Sequence, residues 1–140
     1  MAAALGGALG WFLGGMSDLI YALIIFTILD YLTGFARAAM ARELSSRVGA
    51  RGIVKKVGIF LIVGVAHLAD VYLLGDSGAL RSAVIFFYLS NEGLSIIENA
   101  DALGVPIPGK LTEFLAKVHD QSDTNVSNKP DTPDDQEDKK

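Results

Sequence analysis

Ionisable and strongly polar side chains interrupt three long apolar stretches of this sequence, and they recur at helical spacing. Each stretch has one polar or small face in a helix. The faces consist of Thr27, Asp30, Gly34 and Arg37, with Thr33 beside them, in the first stretch, of Gly64, His67 and Asp70 in the second, and of Tyr88, Asn91, Glu92, Ser95, Glu98 and Asn99 in the third. Such groups are costly inside a bilayer and mark either function or helix pairing. Helices with one polar stripe each can pack stripe to stripe, which only joins them, or can turn their stripes towards a water-filled lumen.

Catalysis needs a constellation that these residues do not supply. His67 and Asp70 at i and i+3 could form half a metal site, but His119 lies far along the chain and no second ligand pair is evident. The sequence has no Gly-x-Ser-x-Gly element, no phosphate-cradling loop and no cysteine. We therefore expect no enzyme, no cofactor and no metal ion.

The apolar stretches predict an all-α integral membrane protein with three transmembrane helices. The spans cover about 17–40, 56–75 and 80–98, close to the roughly 20 residues that a bilayer crossing needs. A soluble bundle is the alternative, but three such stretches leave too little polar surface to dissolve it. The second and third spans are joined only by Gly75–Ala79, so they form an antiparallel hairpin. Across that turn, Asp70 and Arg81 could form a structural pair.

The topology follows from the connection 41–56. Its basic residues set the orientation, because short basic loops stay in the cytoplasm. They are Arg42, Arg47, Arg51, Lys55 and Lys56, against a lone Glu43. A multi-pass protein of the bacterial cytoplasmic membrane with a cytoplasmic C-terminus is predicted, and these charges suit anionic lipid rather than nucleic acid.

The two ends differ from the membrane domain 17–119. Residues 1–16 are apolar, and Gly6, Gly10 and Gly14 would align on one helix face as a packing groove. This segment is a fourth hydrophobic span, a surface-lying segment or one that moves between the two.

The apolar spacing of residues 109–119 predicts a short amphipathic helix, which lies at the membrane interface or packs on a protein helix. Residues 120–140 carry seven acidic and three basic residues and predict a disordered acidic tail.

Five stretches in order resemble the toxin-secretion/phage-lysis holin family of Gram-positive phages and clostridial toxin loci. They are Leu-Asp-Tyr-Leu-Thr-Gly (29–34), Ser-Ser-Arg-Val-Gly-Ala-Arg-Gly-Ile-Val-Lys-Lys (45–56), His-Leu-Ala-Asp (67–70), Phe-Tyr-Leu-Ser-Asn-Glu-Gly-Leu-Ser-Ile-Ile-Glu-Asn (87–99) and Leu-Gly-Val-Pro-Ile-Pro-Gly-Lys-Leu (103–111). The resemblance runs from about residue 15 to residue 118, and the family has no catalytic residues to carry over.

The resemblance implies a homo-oligomer that forms lesions in the host cytoplasmic membrane. The lesions release an endolysin, or a toxin in some loci, without necessary direct contact with it. The alternative is a non-lytic membrane protein, such as an antiholin or an accessory transporter subunit. Under the lytic interpretation, the candidates for lining the oligomer or lesion are Asp30, Thr33, Gly34, His67, Asp70, Asn91, Glu92, Ser95 and Glu98.

Overall fold

The computed structural model describes residues 1–126, and all regular secondary structure within that range is α-helical. The helices in chain order are α1 (Ala2–Phe12), α2 (Asp18–Met40), α3 (Ser46–Leu73), α4 (Ala79–Ala102) and α5 (Gly109–Val126). α2, α3 and α4 run up, down and up beside one another. α4 packs against both other helices, whereas α2 and α3 contact each other at only a few points.

Helices α2 and α3 have the length and composition to cross a membrane. Their 23 and 28 residues correspond to about 35 and 42 Å, more than a hydrocarbon core of roughly 30 Å. Only 17% and 22% of their most apolar segments are buried inside the protein. Large side chains such as Ile25, Leu32 and Val65 are more than half exposed, so the apolar surface faces outward and needs lipid to cover it.

An apolar core closes one end of the three-helix bundle. Ile20, Leu23, Val63 and Ile85 are fully buried there, and Leu13 covers them from the chain that follows α1. We call this region, where α2 begins, α3 ends and α4 begins, the closed end. The opposite region, where α2 ends and α3 begins, is the cleft end.

Helix α3 begins ten residues earlier than the predicted span. The backbone N–H of Val48 donates to the Ser45 hydroxyl at 3.2 Å, which caps the helix at its first turn. Gly49 and Gly52 do not break the helix, because the Tyr31 ring of α2 packs against them. The predicted basic loop 41–56 is therefore wrong in extent: the connection between helices is only 41–45, and the other basic residues lie on α3.

The N-terminal segment is too short to form a fourth spanning helix. Eleven residues of α1 extend about 16 Å, roughly half of the bilayer core. Gly14 and Gly15 follow with φ of 78° and 87°, a left-handed conformation that glycine adopts without strain and that ends the helix. Gly14 therefore does not continue the face formed by Gly6 and Gly10, so the predicted three-glycine groove is wrong.

The C-terminal helix is longer than predicted. α5 runs to Val126 and includes the first seven residues of the segment expected to be disordered. No proline or glycine lies between Gly109 and Pro130, and Lys117 pairs with Glu113 one turn away at 2.7 Å, so nothing stops the helix at residue 119. The rest of the predicted acidic tail, 127–140, lies outside the described residues.

Candidate functional site

A buried cluster of three charged side chains joins the three long helices. The Lys56 ammonium of α3 donates hydrogen bonds to Asp30 Oδ2 of α2 and to Glu92 Oε2 of α4. The Glu92 side chain is only 4% exposed, and those of Asp30 and Lys56 are 12% and 17% exposed. We call these three residues the ion triad. It lies close to the middle of α2 and of α4.

Two neutral groups extend the ion triad towards the end of α4. The Asn99 amide donates to Asp30 Oδ1 at 3.1 Å and to the Thr33 hydroxyl at 3.2 Å. The Thr33 hydroxyl in turn donates to the Leu29 carbonyl at 2.9 Å. Asp30 thus has partners on both carboxylate oxygens, one from α3 and one from α4, and the network ties α2 to both neighbours.

The ion triad offsets a cost that each carboxylate would carry alone. An aspartate at the centre of a membrane helix costs about 2.5–3.5 kcal/mol on insertion scales. One ammonium shared by two carboxylates reduces that cost, and removing the shared cation would leave two uncompensated buried charges. The sequence analysis names Asp30 and Glu92 as candidates for lining the oligomer or lesion but gives them no partner.

An open cleft of about 1030 Å³ lies beside the ion triad at the cleft end, where α2 and α3 diverge. Six of the nine residues predicted to line a lumen or lesion meet in this cleft: Asp30, Gly34, Asn91, Glu92, Ser95 and Glu98. Thr33 is not among the lining residues and reaches the network through Asn99. His67 and Asp70 lie at the closed end, so the predicted stripe of α3 does not join the other two.

Asp70 caps the start of α4 from another helix. Its carboxylate accepts the backbone N–H groups of Leu80 at 3.1 Å and Arg81 at 2.7 Å, and the Ser77 hydroxyl at 3.4 Å. Gly78, the residue at the helix N-cap, has no side chain to do this. The fully buried Asp70 therefore fixes the hairpin between α3 and α4.

The predicted Asp70–Arg81 pair forms through the backbone amide of Arg81 and not through its guanidinium group. That group instead donates to the carbonyl oxygens of Leu13 at 2.6 Å and Gly15 at 3.0 Å, and to the Ser17 hydroxyl at 3.3 Å. Carbonyl oxygens after the end of α1 are free to accept, because the helix has no further residues to bond them. Arg81 thus holds the α1–α2 connection on the bundle.

Helix α1 has a second attachment at Gly64. A methyl group on this residue of α3 would overlap the Phe12 ring, so the glycine provides the space in which Phe12 packs. A Cβ on Gly14 would lie 2.6 Å from His67 Nδ1, so Gly14 also marks a close approach. Outside their own helix backbone, no group of residues 1–126 lies within 4 Å of the position that a Cβ would take on Gly6 or Gly10.

Lys56 is the functional residue that the sequence analysis assigned differently. The sequence predicts for it the same topology-setting role as for Arg42, Arg47, Arg51 and Lys55, all of which are exposed at the cleft end. A helical face that runs back from Asp70 through Val63 and Ile59 reaches Lys56 at spacings of seven, four and three residues. That spacing would have placed Lys56 on the buried face of α3, had the helix been extended beyond its apolar part.

The arrangement is that of an all-helical membrane protein whose polar groups bind one another across helices. Among the described residues, no group of three or more His, Asp or Glu side chains could hold a metal ion. The family model of the bacteriophage holin family matches residues 7–120. The chain belongs to this family, and the predicted resemblance is confirmed.

Relatives from bacteria and from a phage agree with this assignment. An uncharacterized 14.9 kDa protein of the nagH 3' region in Clostridium perfringens is 39% identical over 118 residues, which cover 84% of this chain and 89% of that protein. A probable holin of Bacillus phage phi105 is 38% identical over 101 residues, covering 72% of this chain and 74% of that protein. No solved structure matches the chain.

Proposed function

We propose that the chain is a holin, which accumulates in the bacterial cytoplasmic membrane and then oligomerises into lesions. An endolysin, or a toxin, leaves through the lesions without binding the chain. The observation that carries the proposal is the ion triad within helices of membrane-spanning length, in a chain of the bacteriophage holin family. No catalytic step is required, because the membrane lesion is itself the function.

The ion triad gives each subunit a harmless packed state. While Lys56 binds both carboxylates, the three helices satisfy their charged groups within one subunit. If the helices separate, these groups need water or another subunit instead, because lipid tails cannot bond them. A lesion with a hydrated lumen surrounds all three separated groups with water, which a cleft within one packed subunit does not, so opening the ion triad and forming a lesion are coupled.

Membrane topology is the second part of the proposal. α4 forms the third span, since its 24 residues extend about 36 Å and its polar side chains face α2 and α3. The connection 41–45 and the C-terminus lie in the cytoplasm, because Arg42, Arg47, Arg51 and Lys55 gather at the cleft end. A reporter that is active only outside the membrane, inserted at Glu43, should be inactive; strong activity there would reverse the orientation.

Oligomer contacts are proposed for α1. Gly6 and Gly10 leave a smooth face that none of the described residues of the same subunit fills, and glycine disfavours a helix by roughly 1 kcal/mol relative to alanine. Close packing against a neighbouring subunit would offset that penalty. Gly10→Leu should then weaken cross-linked oligomers and delay killing, whereas unchanged cross-linking and timing would rule out this contact.

Expression of the chain alone in a bacterium tests the function directly. A potential-sensitive dye should report an abrupt loss of membrane potential after a delay, and cells should lyse only when an endolysin is co-expressed. Endolysin expressed without the chain is the control and should leave the cells intact. Cells that keep their potential at a comparable amount of membrane-inserted protein would show a non-lytic membrane protein, such as an antiholin.

A further inference from the structure

The cleft is lined by charged side chains that lipid tails cannot solvate. It is an open groove with a volume of about 1030 Å³. Six charged residues line it in equal numbers of each sign: Asp30, Glu92 and Glu98 against Arg37, Lys55 and Lys56. An occupant must therefore bond cations and anions alike, which water does and hydrocarbon does not.

Three of these charges form no salt bridge within the described residues. Arg37, Lys55 and Glu98 are exposed, whereas the other three charged residues form the ion triad. A charged side chain facing the hydrocarbon would be disfavoured, so intramembrane charges almost always face a protein interior or a water-filled cavity. Asn91 and Ser95 add further hydrogen-bonding groups to the same wall.

Along the bundle axis, the cleft is open at one end only. At the closed end, Ile20, Leu23, Val63 and Ile85 are fully buried and block its continuation along the bundle. At the cleft end lie Arg42, Arg47 and Arg51, the residues that place this end in the cytoplasm. The ion triad marks the depth at which the polar lining gives way to the apolar core.

We infer that each subunit, before any lesion forms, contains a water-filled vestibule that opens to the cytoplasm and ends at the ion triad. Water thus reaches the middle of the membrane from one side while the closed end remains a barrier. The inference rests on the membrane location and topology of the proposed function, but it does not require that the chain kill a cell.

Single cysteine variants test the vestibule, because the chain has no cysteine of its own. Gly34 and Ser95 line the cleft, whereas Leu32 is exposed elsewhere on the bundle. Leu32 is two residues from Gly34 on the same helix, about 3 Å along its axis. Ser95 lies on α4 between Glu92 and Asn99, which bond Lys56 and Thr33, so it lies near the same depth. Ser95→Cys and Gly34→Cys are therefore the test positions, and Leu32→Cys is the control. A Cβ at Gly34 makes only ordinary contact, 3.5 Å from Asn99 Nδ2.

The full-length variants are labelled in inverted membrane vesicles with a membrane-impermeant methanethiosulfonate reagent. Ser95→Cys should react at least fivefold faster than Leu32→Cys, and Gly34→Cys should repeat the result if the serine variant fails to insert. A smaller difference would overturn the vestibule and would mean that lipid or another subunit fills the cleft. In vesicles of the opposite orientation, rapid labelling at the cleft positions would overturn it as well.

Killing by the same variants separates this inference from the proposed function. Variants that kill normally but show no difference in labelling would refute the vestibule and leave the holin function standing. Variants that show the labelling difference in a chain that never depolarises a cell would refute the lytic function and leave the vestibule standing.

Discussion

The two ends of the bundle satisfy buried charges in different ways. At the closed end, Asp70 accepts backbone N–H groups and the Arg81 guanidinium donates to backbone carbonyls, so each charge bonds neutral groups fixed in the chain. At the cleft end, Lys56 bonds Asp30 and Glu92, so charges on three different helices bond each other. The first arrangement holds a turn in one geometry. The second holds only while the three helices stay together.

The difference indicates which end can move. Backbone partners near a helix end cannot separate from their helix, and an apolar core surrounds them at the closed end. Side-chain partners on separate helices can part when the helices part, and the cleft gives them access to water. We therefore expect the closed end to keep its structure while the cleft end changes during triggering. The following variants test that contrast.

Lys56→Met should have the largest effect. It removes the cation that two buried carboxylates share, and breaking a buried pair in this way costs about 3–5 kcal/mol. We expect a lower melting temperature in detergent and an earlier loss of membrane potential at equal protein level. Lys55→Met is the matched control, because the neighbouring ammonium is exposed and makes no ion pair among residues 1–126. If both variants lose the membrane potential at the same time, the ion triad does not control the timing of triggering.

The double change Asp30→Asn and Glu92→Gln tests whether the three charges of the ion triad act together. With Lys56→Met, this double change makes the whole cluster neutral, so the destabilisation should be partly reversed. Triggering times measured for the single, double and triple variants form a mutant cycle, which isolates the coupling between Lys56 and the two carboxylates. Strictly additive effects would show that the three charges do not act together.

Asp70→Ala should reduce stability but should not advance triggering. The variant leaves the first N–H groups of α4 without an acceptor and loosens the hairpin, an effect we expect to be smaller than that of Lys56→Met. Asp76→Asn in the same turn is the control, since its exposed side chain caps nothing that the structure describes and asparagine tolerates the left-handed backbone of this residue, whose φ is 60°. Earlier depolarisation in Asp70→Ala at equal protein level would show that the closed end also moves.

Gly64→Ala should have a more moderate effect, confined to the attachment of α1. Overpacking against Phe12 costs about 1–3 kcal/mol, and the better helix propensity of alanine returns about 1 kcal/mol of it. In a Phe12→Ala background the same change should be neutral or stabilising. Gly58→Ala has open space around its Cβ and serves as the control on the same helix. A loss of stability at Gly64 that persists without the Phe12 ring would contradict this packing.

Glu113→Gln should have the smallest effect. The Glu113–Lys117 pair of α5 has the same chemical groups as Glu92 and Lys56, but its side chains are 64% and 69% exposed. Such a pair contributes roughly 0.3–0.5 kcal/mol, because water already solvates both partners. Melting and triggering should match the unmodified chain within error, and a large shift would mean that α5 packs on a surface that shields this pair.

The sequence predicted the long helices well, because apolar runs of spanning length leave few alternatives. It also predicted the polar stripes of α2 and α4, which meet because Asp30, Glu92 and Asn99 recur at helical spacing. It did not predict the start of α3, because Lys56 follows four other basic residues and looked like part of a topology signal. Hydropathy marks where lipid can surround a helix, and it does not mark where the helix begins.

The partners of Arg81 were beyond local sequence reasoning. Its acceptors, Leu13 and Gly15, lie more than sixty residues away and bond through carbonyl oxygens that every residue possesses. Side-chain type therefore contains no signal for that contact. The three-glycine stripe failed for a related reason, because two consecutive glycines with positive φ end the helix before the stripe is complete.

The carboxylate of Asp70 also constrains how the chain enters the membrane during synthesis. Its main acceptor bonds are to residues ten and eleven positions further along, so they cannot form until that stretch has left the ribosome. Until then the buried acid has no partner, and lipid offers none. α3 and α4 should accordingly partition into the bilayer together, as one helical hairpin released from the translocon, rather than as two helices inserted in turn.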